Sequence, residues 1–93
     1  MIAIVTAYIA TCSGCSGLTF SGLRADWTKN YVAADLSHYE IGDKICFYFG
    51  FECSEYTVQD TGSFKGKNRF DILVKDFKTA VNFGKQQIKY LEL

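Results

Sequence analysis

The sequence predicts an all-β fold, a small six-stranded barrel carrying one short helix. Three observations predict it. Short runs rich in β-branched and aromatic residues recur along the chain, separated by glycine, serine and aspartate turns. One window, from Asp76 to Gly84, carries the start and stop signals of a helix. Six or so strands in only 93 residues leave exposed edges unless the sheet closes on itself.

The elements follow in order. Residues 2–10 form a β-branched and aromatic first strand. This apolar run lacks a basic leading region and is far shorter than a membrane span, so neither a signal peptide nor a spanning helix is read here. The segment Cys12-Ser-Gly-Cys15-Ser-Gly has the small residues of a loop, and a short second strand is expected at 18–21. Residues 30–34 form another strand ending at Asp35, and 36–42 an irregular crossing with a turn at Gly42 and Asp43. Residues 44–49 and 52–59 are the clearest hairpin, with Gly50 between them. Asp60-Thr61-Gly62 closes it, and 63–68 is a loop of glycine and lysine. The strand at 69–74 alternates, with Phe70, Ile72 and Val74 on one face and Asp71 on the other, where a carboxylate meets solvent and substrate. The helix starts at Asp76 as N-cap, runs through Phe77, Ala80, Val81 and Phe83, and stops at Gly84. Residues 86–93 return as the closing strand.

Composition bounds the function. With 48% hydrophobic residues and no proline, repeat or low-complexity tract, the chain reads as one domain over 1–93. A chain this short buries roughly 60–65% of its unfolded surface, so its active site is a shallow groove. Ten basic and ten acidic residues cancel without a run of either sign, which argues against nucleic acid as partner. The cysteines are Cys12, Cys15, Cys46 and Cys53, and His38 is the single histidine, read as a surface residue. The Cys12–Cys15 spacing suits a zinc knuckle, but that of Cys46 and Cys53 does not, so no metal is expected. Cys46 opposes Cys53 if Phe49-Gly50 is the hairpin turn, but not if Gly50-Phe51 turns as type II′. A disulfide depends on which register forms, and requires an oxidising compartment.

Three segments carry a resemblance. Val32-Ala-Ala-Asp35, Gln59-Asp60-Thr-Gly62 and Arg69-Phe-Asp71-Ile72 resemble, in order, the signature segments of the three-aspartate (3D) domain family. Thr6-Ala-Tyr8, Thr19-Phe-Ser-Gly22, Ile41-Gly-Asp-Lys44, Phe64-Lys-Gly66 and Asn82-Phe-Gly84 extend the match over nearly the whole chain. The family includes the C-terminal barrel of membrane-bound lytic transglycosylase A and the stationary-phase-survival proteins. The resemblance implies a double-psi β-barrel that cleaves the MurNAc–GlcNAc bond of peptidoglycan without water, leaving a 1,6-anhydro-MurNAc end, with no cofactor. It places the acid/base at Asp71, with Asp60 as its neighbour and Asp35 as a third carboxylate that frames the loop or stabilises developing charge.

The residues support such chemistry. When the sugar's own C6 hydroxyl replaces water, a single carboxyl can donate a proton to the leaving oxygen and then take one back. Acting as an acid near neutral pH requires a raised pKa, through apolar surroundings or a neighbouring carboxylate. Lys65, Lys67 and Arg69 oppose this and should point away or meet substrate carboxylates. Thr19, Ser21, Gly62 and Lys65 are the expected substrate-binding residues; Trp27 and the six tyrosines offer faces for stacking on sugars, although a lone tryptophan is more often core. Asp60-Thr-Gly62 also matches the aspartic-protease motif, but Gln59 replaces the apolar residue expected before it and 72–74 lacks the later glycine. The stronger alternative is a non-catalytic cell-wall or carbohydrate-binding module, since a barrel of this kind does not fix activity. Either function places the protein in the cell envelope, outside the cell, or in a phage particle.

Overall fold

In the computed structural model, which describes residues 1–10 and 15–93, six strands close into a barrel. They are β1 (Ile2–Tyr8), β2 (Tyr31–Ala34), β3 (Lys44–Tyr48), β4 (Cys53–Asp60), β5 (Arg69–Leu73) and β6 (Gln86–Glu92), with α1 (Phe77–Phe83) before the last. Around the barrel the order is β1-β5-β2-β4-β3-β6. β1 pairs parallel to β5, and β2 parallel to β4, while the other four pairings are antiparallel. The molecule is thus a six-stranded double-psi β-barrel with one short helix.

Strand alternation fills the interior. Ala3 and Val5, Val32 and Ala34, Ile45 and Phe47, Phe70 and Ile72, and Ile88 and Tyr90 all point inward, joined by Val58. Phe47 and Phe70 meet edge to face at 5.1 Å in the middle. Tyr39, from the crossing before β3, is buried against Phe70 and donates its hydroxyl to the Lys67 carbonyl at 2.7 Å.

The helix follows its sequence signals. Asp76 accepts from the Thr79 amide at 2.8 Å, and Gly84 ends the helix at φ 64° and ψ −135°, a positive-φ conformation open to glycine. Other expectations are corrected. Residues 18–21 are not a strand. Thr19 N donates to the Leu23 carbonyl and Gly22 N to that of Thr19, closing a tight turn in which Leu18 makes a single bridge to Arg24. Trp27 is 49% exposed rather than core, because it lies on a 3₁₀ turn, Trp27–Lys29, capped by Asp26.

The β3–β4 hairpin turns through residues 49–52, and its register pairs Tyr48 with Cys53 and Cys46 with Glu55. Cys46 and Cys53 are therefore diagonal rather than opposed, yet they form a disulfide with Cα atoms 5.3 Å apart. Strand twist brings one diagonal close enough to bridge, so direct opposition was too strict a requirement. The bond also removes the four-thiolate zinc option, whose Cys12 lies outside the described residues. Because the loop it closes is short, converting Cys46 and Cys53 together to alanine should lower stability by about 2 kcal/mol, measured by urea unfolding, and leave the barrel folded.

Candidate active site

Register builds the site. On β5, Phe70 and Ile72 point inward, so Asp71 faces out. Thr6 of β1 stands beside it on one side and Ala33 of β2 on the other. The β2–β4 pairing shifts between Val32 and Ala33, so Asp60 rather than Gln59 lies opposite Ala33. A shift of this kind turns a side chain to the other face of the sheet. It completes an outward row, Thr6–Asp71–Ala33–Asp60, across four neighbouring strands. The two aspartates are separated by one methyl group.

Hydrogen bonds fix both carboxylates. Thr6 Oγ1 donates to Asp71 Oδ1 at 3.0 Å. Asp60 Oδ1 accepts from the Phe20 and Thr61 amides at 3.0 and 2.9 Å, and Asp60 Oδ2 accepts from the Tyr8 hydroxyl at 3.0 Å. Tyr8, two residues after Thr6 on the same face of β1, thus reaches over the row to its far end. Thr61 ties its own hydroxyl to the Ala34 carbonyl at 2.9 Å, anchoring the turn that carries Asp60.

The electrostatics separate the roles. Burial pushes the Asp71 carboxyl above its ordinary range, and the nearby Asp60 charge pushes it further; the Thr6 hydrogen bond and the Arg69 cation pull it down. Burial, with Asp60 and Asp71 beside it, also raises the Tyr8 phenol, which stays a donor throughout the physiological range. Arg69 shares the outer face of β5 with Asp71, its guanidinium 5.9 Å from the Phe64 ring centre, which leaves the second of the two expectations, a meeting with substrate carboxylates. Lys67 does point away, pairing with Glu92 at 3.3 Å.

Asp35 sits apart from the pair. Its Oδ1 accepts from Ser37 N and Oγ at 3.0 and 2.7 Å, and its Oδ2 from Gly66 N at 2.8 Å. These bonds hold its carboxyl well below the usual range and pin the loop before β5, which is the loop-framing arrangement. A depressed folded pKa contributes stability above the unfolded value of about 4 and loses it as pH falls through that region. Asp35→Asn should therefore lower Tm by several degrees at pH 7 and weaken the fall of Tm below pH 4, followed by circular dichroism melts.

The expected binding residues divide. Thr19 is buried, with Oγ1 engaged by Ser21 Oγ at 2.8 Å and the Leu23 carbonyl at 3.2 Å, while its turn delivers Phe20 N to Asp60. Gly62 is exposed and close under the Phe64 ring, where an added Cβ would lie 2.5 Å from Phe64 Cε1. Lys65 is exposed on the same loop, and His38 is a surface residue. Thr6, Tyr8 and Ala33 are not among the site residues expected from the sequence, although all three fall in segments that carry the resemblance. The usable signal was the spacing of two between Thr6 and Tyr8 on a strand.

Ala33 carries a test of the row. Placed between the carboxylates and 3% exposed, it leaves no room for a larger side chain. Ala33→Leu should cost about 1–3 kcal/mol of stability through overpacking. It should also lower any glycan cleavage by about 100-fold, read by muropeptide release, by spreading the pair.

Fold and row together define a class, a double-psi barrel with two carboxylates converging on its outer face. No protein-family model matches the chain. Over 87 residues, 90% of its length, it is 32% identical to YabE of Bacillus subtilis (strain 168), a protein named for cell wall shaping. It spans 20% of the length of YabE. In structure it is similar to a point mutant of Clavibacter michiganensis expansin solved in complex with cellohexaose, with a TM-score of 0.66 at 15% identity. That likeness covers 100% of this chain and 50% of the expansin chain, and it shows the fold.

Proposed function

We propose that this barrel acts on cell-wall glycan as a lytic transglycosylase, with Asp71 as its acid and then its base. The observation that carries the reading is the Asp71–Ala33–Asp60 row, in which the buried member has a raised pKa and the other is held by three donors. Protonated Asp71 gives its proton to the glycosidic oxygen as the bond to the MurNAc anomeric carbon breaks. The resulting carboxylate takes the proton of the MurNAc C6 hydroxyl while that oxygen bonds to the anomeric carbon. The 1,6-anhydro ring closes, Asp71 regains its proton, and no water is consumed. The Asp60 carboxylate beside it favours protonated Asp71 and the developing oxocarbenium ion.

Two features support a setting at the cell wall: the chain resembles a segment of YabE, and the Cys46–Cys53 disulfide suits an oxidising compartment. The envelope, the exterior or a phage particle would each provide contact with peptidoglycan.

A second reading, a non-catalytic glycan-binding module, is favoured by the likeness to an expansin solved with a bound oligosaccharide. Mass spectrometry of purified peptidoglycan incubated with the protein separates the two. Anhydro-muropeptides are expected. Reducing-end products would mean hydrolysis, and no product despite sedimentation with cell walls would mean binding alone.

A further inference from the structure

We infer that a cavity past Asp71, at the end of β5, is a second saccharide subsite, taking a glycan sugar whose carboxylate-bearing substituent meets Lys75. The inference rests on the glycan reading above. Leu73, two residues past Asp71 and therefore about 6.6 Å further along β5, is part of the wall of a cavity of about 430 Å³. Its volume lies in the range of small-ligand sites.

Trp27 and Tyr56 supply aromatic walls, and both are held in place. Asp26 caps the turn carrying Trp27 through Thr28 N at 3.0 Å and Thr28 Oγ1 at 2.6 Å. The Tyr56 ring packs edge to face on Phe47 and Phe49 at 5.6 and 6.0 Å. Rigid, part-exposed aromatic faces suit the C–H faces of a pyranose.

Polar groups complete the wall. Asn30 is the non-glycine residue with a left-handed backbone among those described, at φ 54°. Its Nδ2 donates to the Glu55 carbonyl at 3.2 Å, which fixes the amide and leaves Oδ1 free to accept from a sugar hydroxyl. This conformation, which asparagine adopts readily, ends the Trp27–Lys29 turn and sets the side chain at the cavity wall. Lys75 brings a cation with no ion-pair partner among the described pairs, Lys44–Glu55 and Lys67–Glu92. The adjacent Asp76 is occupied by Thr79 at 2.8 and 2.6 Å. Lys75 is exposed and its charge acts on the Asp76 carboxylate, and an acidic substituent on a stacked sugar would bring a second anion within its reach.

The single tryptophan makes the test direct, because Trp27 lies in the cavity wall and supplies all of the tryptophan emission. The full chain carrying Asp71→Asn would be titrated with a GlcNAc–MurNAc tetrasaccharide bearing stem peptides and with chitotetraose, by fluorescence and calorimetry. We expect Trp27 emission to change with both sugars, and Trp27→Ala to weaken the peptidyl tetrasaccharide about tenfold. Lys75→Glu should weaken that ligand and spare chitotetraose. Calorimetric binding with unchanged Trp27 emission and parental affinity in both variants would overturn the subsite and leave the glycan reading standing. Binding of neither saccharide, together with no sedimentation with cell walls, would overturn both.

Discussion

Asp71→Asn should lower release of anhydro-muropeptides by about 1000-fold while sedimentation with cell walls is retained. Asparagine keeps the shape of the side chain and can still accept from Thr6 Oγ1, so the outer face of β5 stays intact. What it removes is the exchangeable proton that must reach the leaving oxygen. A binding module would tolerate the change with no loss of glycan affinity and would have no turnover to lose. Equal cleavage by the variant and the wild type would remove Asp71 from the mechanism.

The second large effect lies in pH dependence. The active form of Asp71 is protonated, so cleavage falls as pH rises through its pKa. Asp60 pushes that pKa up and Arg69 pulls it down. Asp60→Asn removes a like charge, lowers the Asp71 pKa and moves the falling limb of the pH profile to lower pH. About a tenfold or greater loss of rate should accompany it at pH 7. Arg69→Gln removes an opposite charge and should move the limb to higher pH. Opposite movements in the two variants are the signature of direct electrostatic tuning, whereas a general loss of folding would depress both profiles without moving either limb.

What the sequence made legible was local. The alternation of Phe70, Ile72 and Val74 placed Asp71 outward without knowledge of any neighbour, and Asp76 with Gly84 bounded the helix because capping is decided within a few residues. The partners of Asp71 were harder to read. Asp60 enters the row through a one-residue shift in a parallel pairing between β2 and β4, and alternation from Val58 would have turned it inward. Thr6 and Tyr8 arrive from the far end of the chain through the parallel β1–β5 pairing. Register between distant strands is set by packing of the whole barrel rather than by either segment.

The same limit governed the smaller corrections. The Cys46–Cys53 bridge is diagonal because the turn takes four residues, and a one-residue difference in the turn changes every opposition behind it. A lone tryptophan is more often core, but Asp26 and Thr28 close a short turn that leaves Trp27 facing outward.

The account depends most on Asp71 being a carboxyl poised as an acid by burial and by Asp60. Carbon-detected NMR titration of its side-chain carboxyl, in the wild type and in Asp60→Asn, reads this without any substrate. The account predicts a pKa above the ordinary aspartate value of about 3.9 in the wild type and a clear decrease in the variant. A value at or below the ordinary one, unmoved by Asp60→Asn, would contradict it.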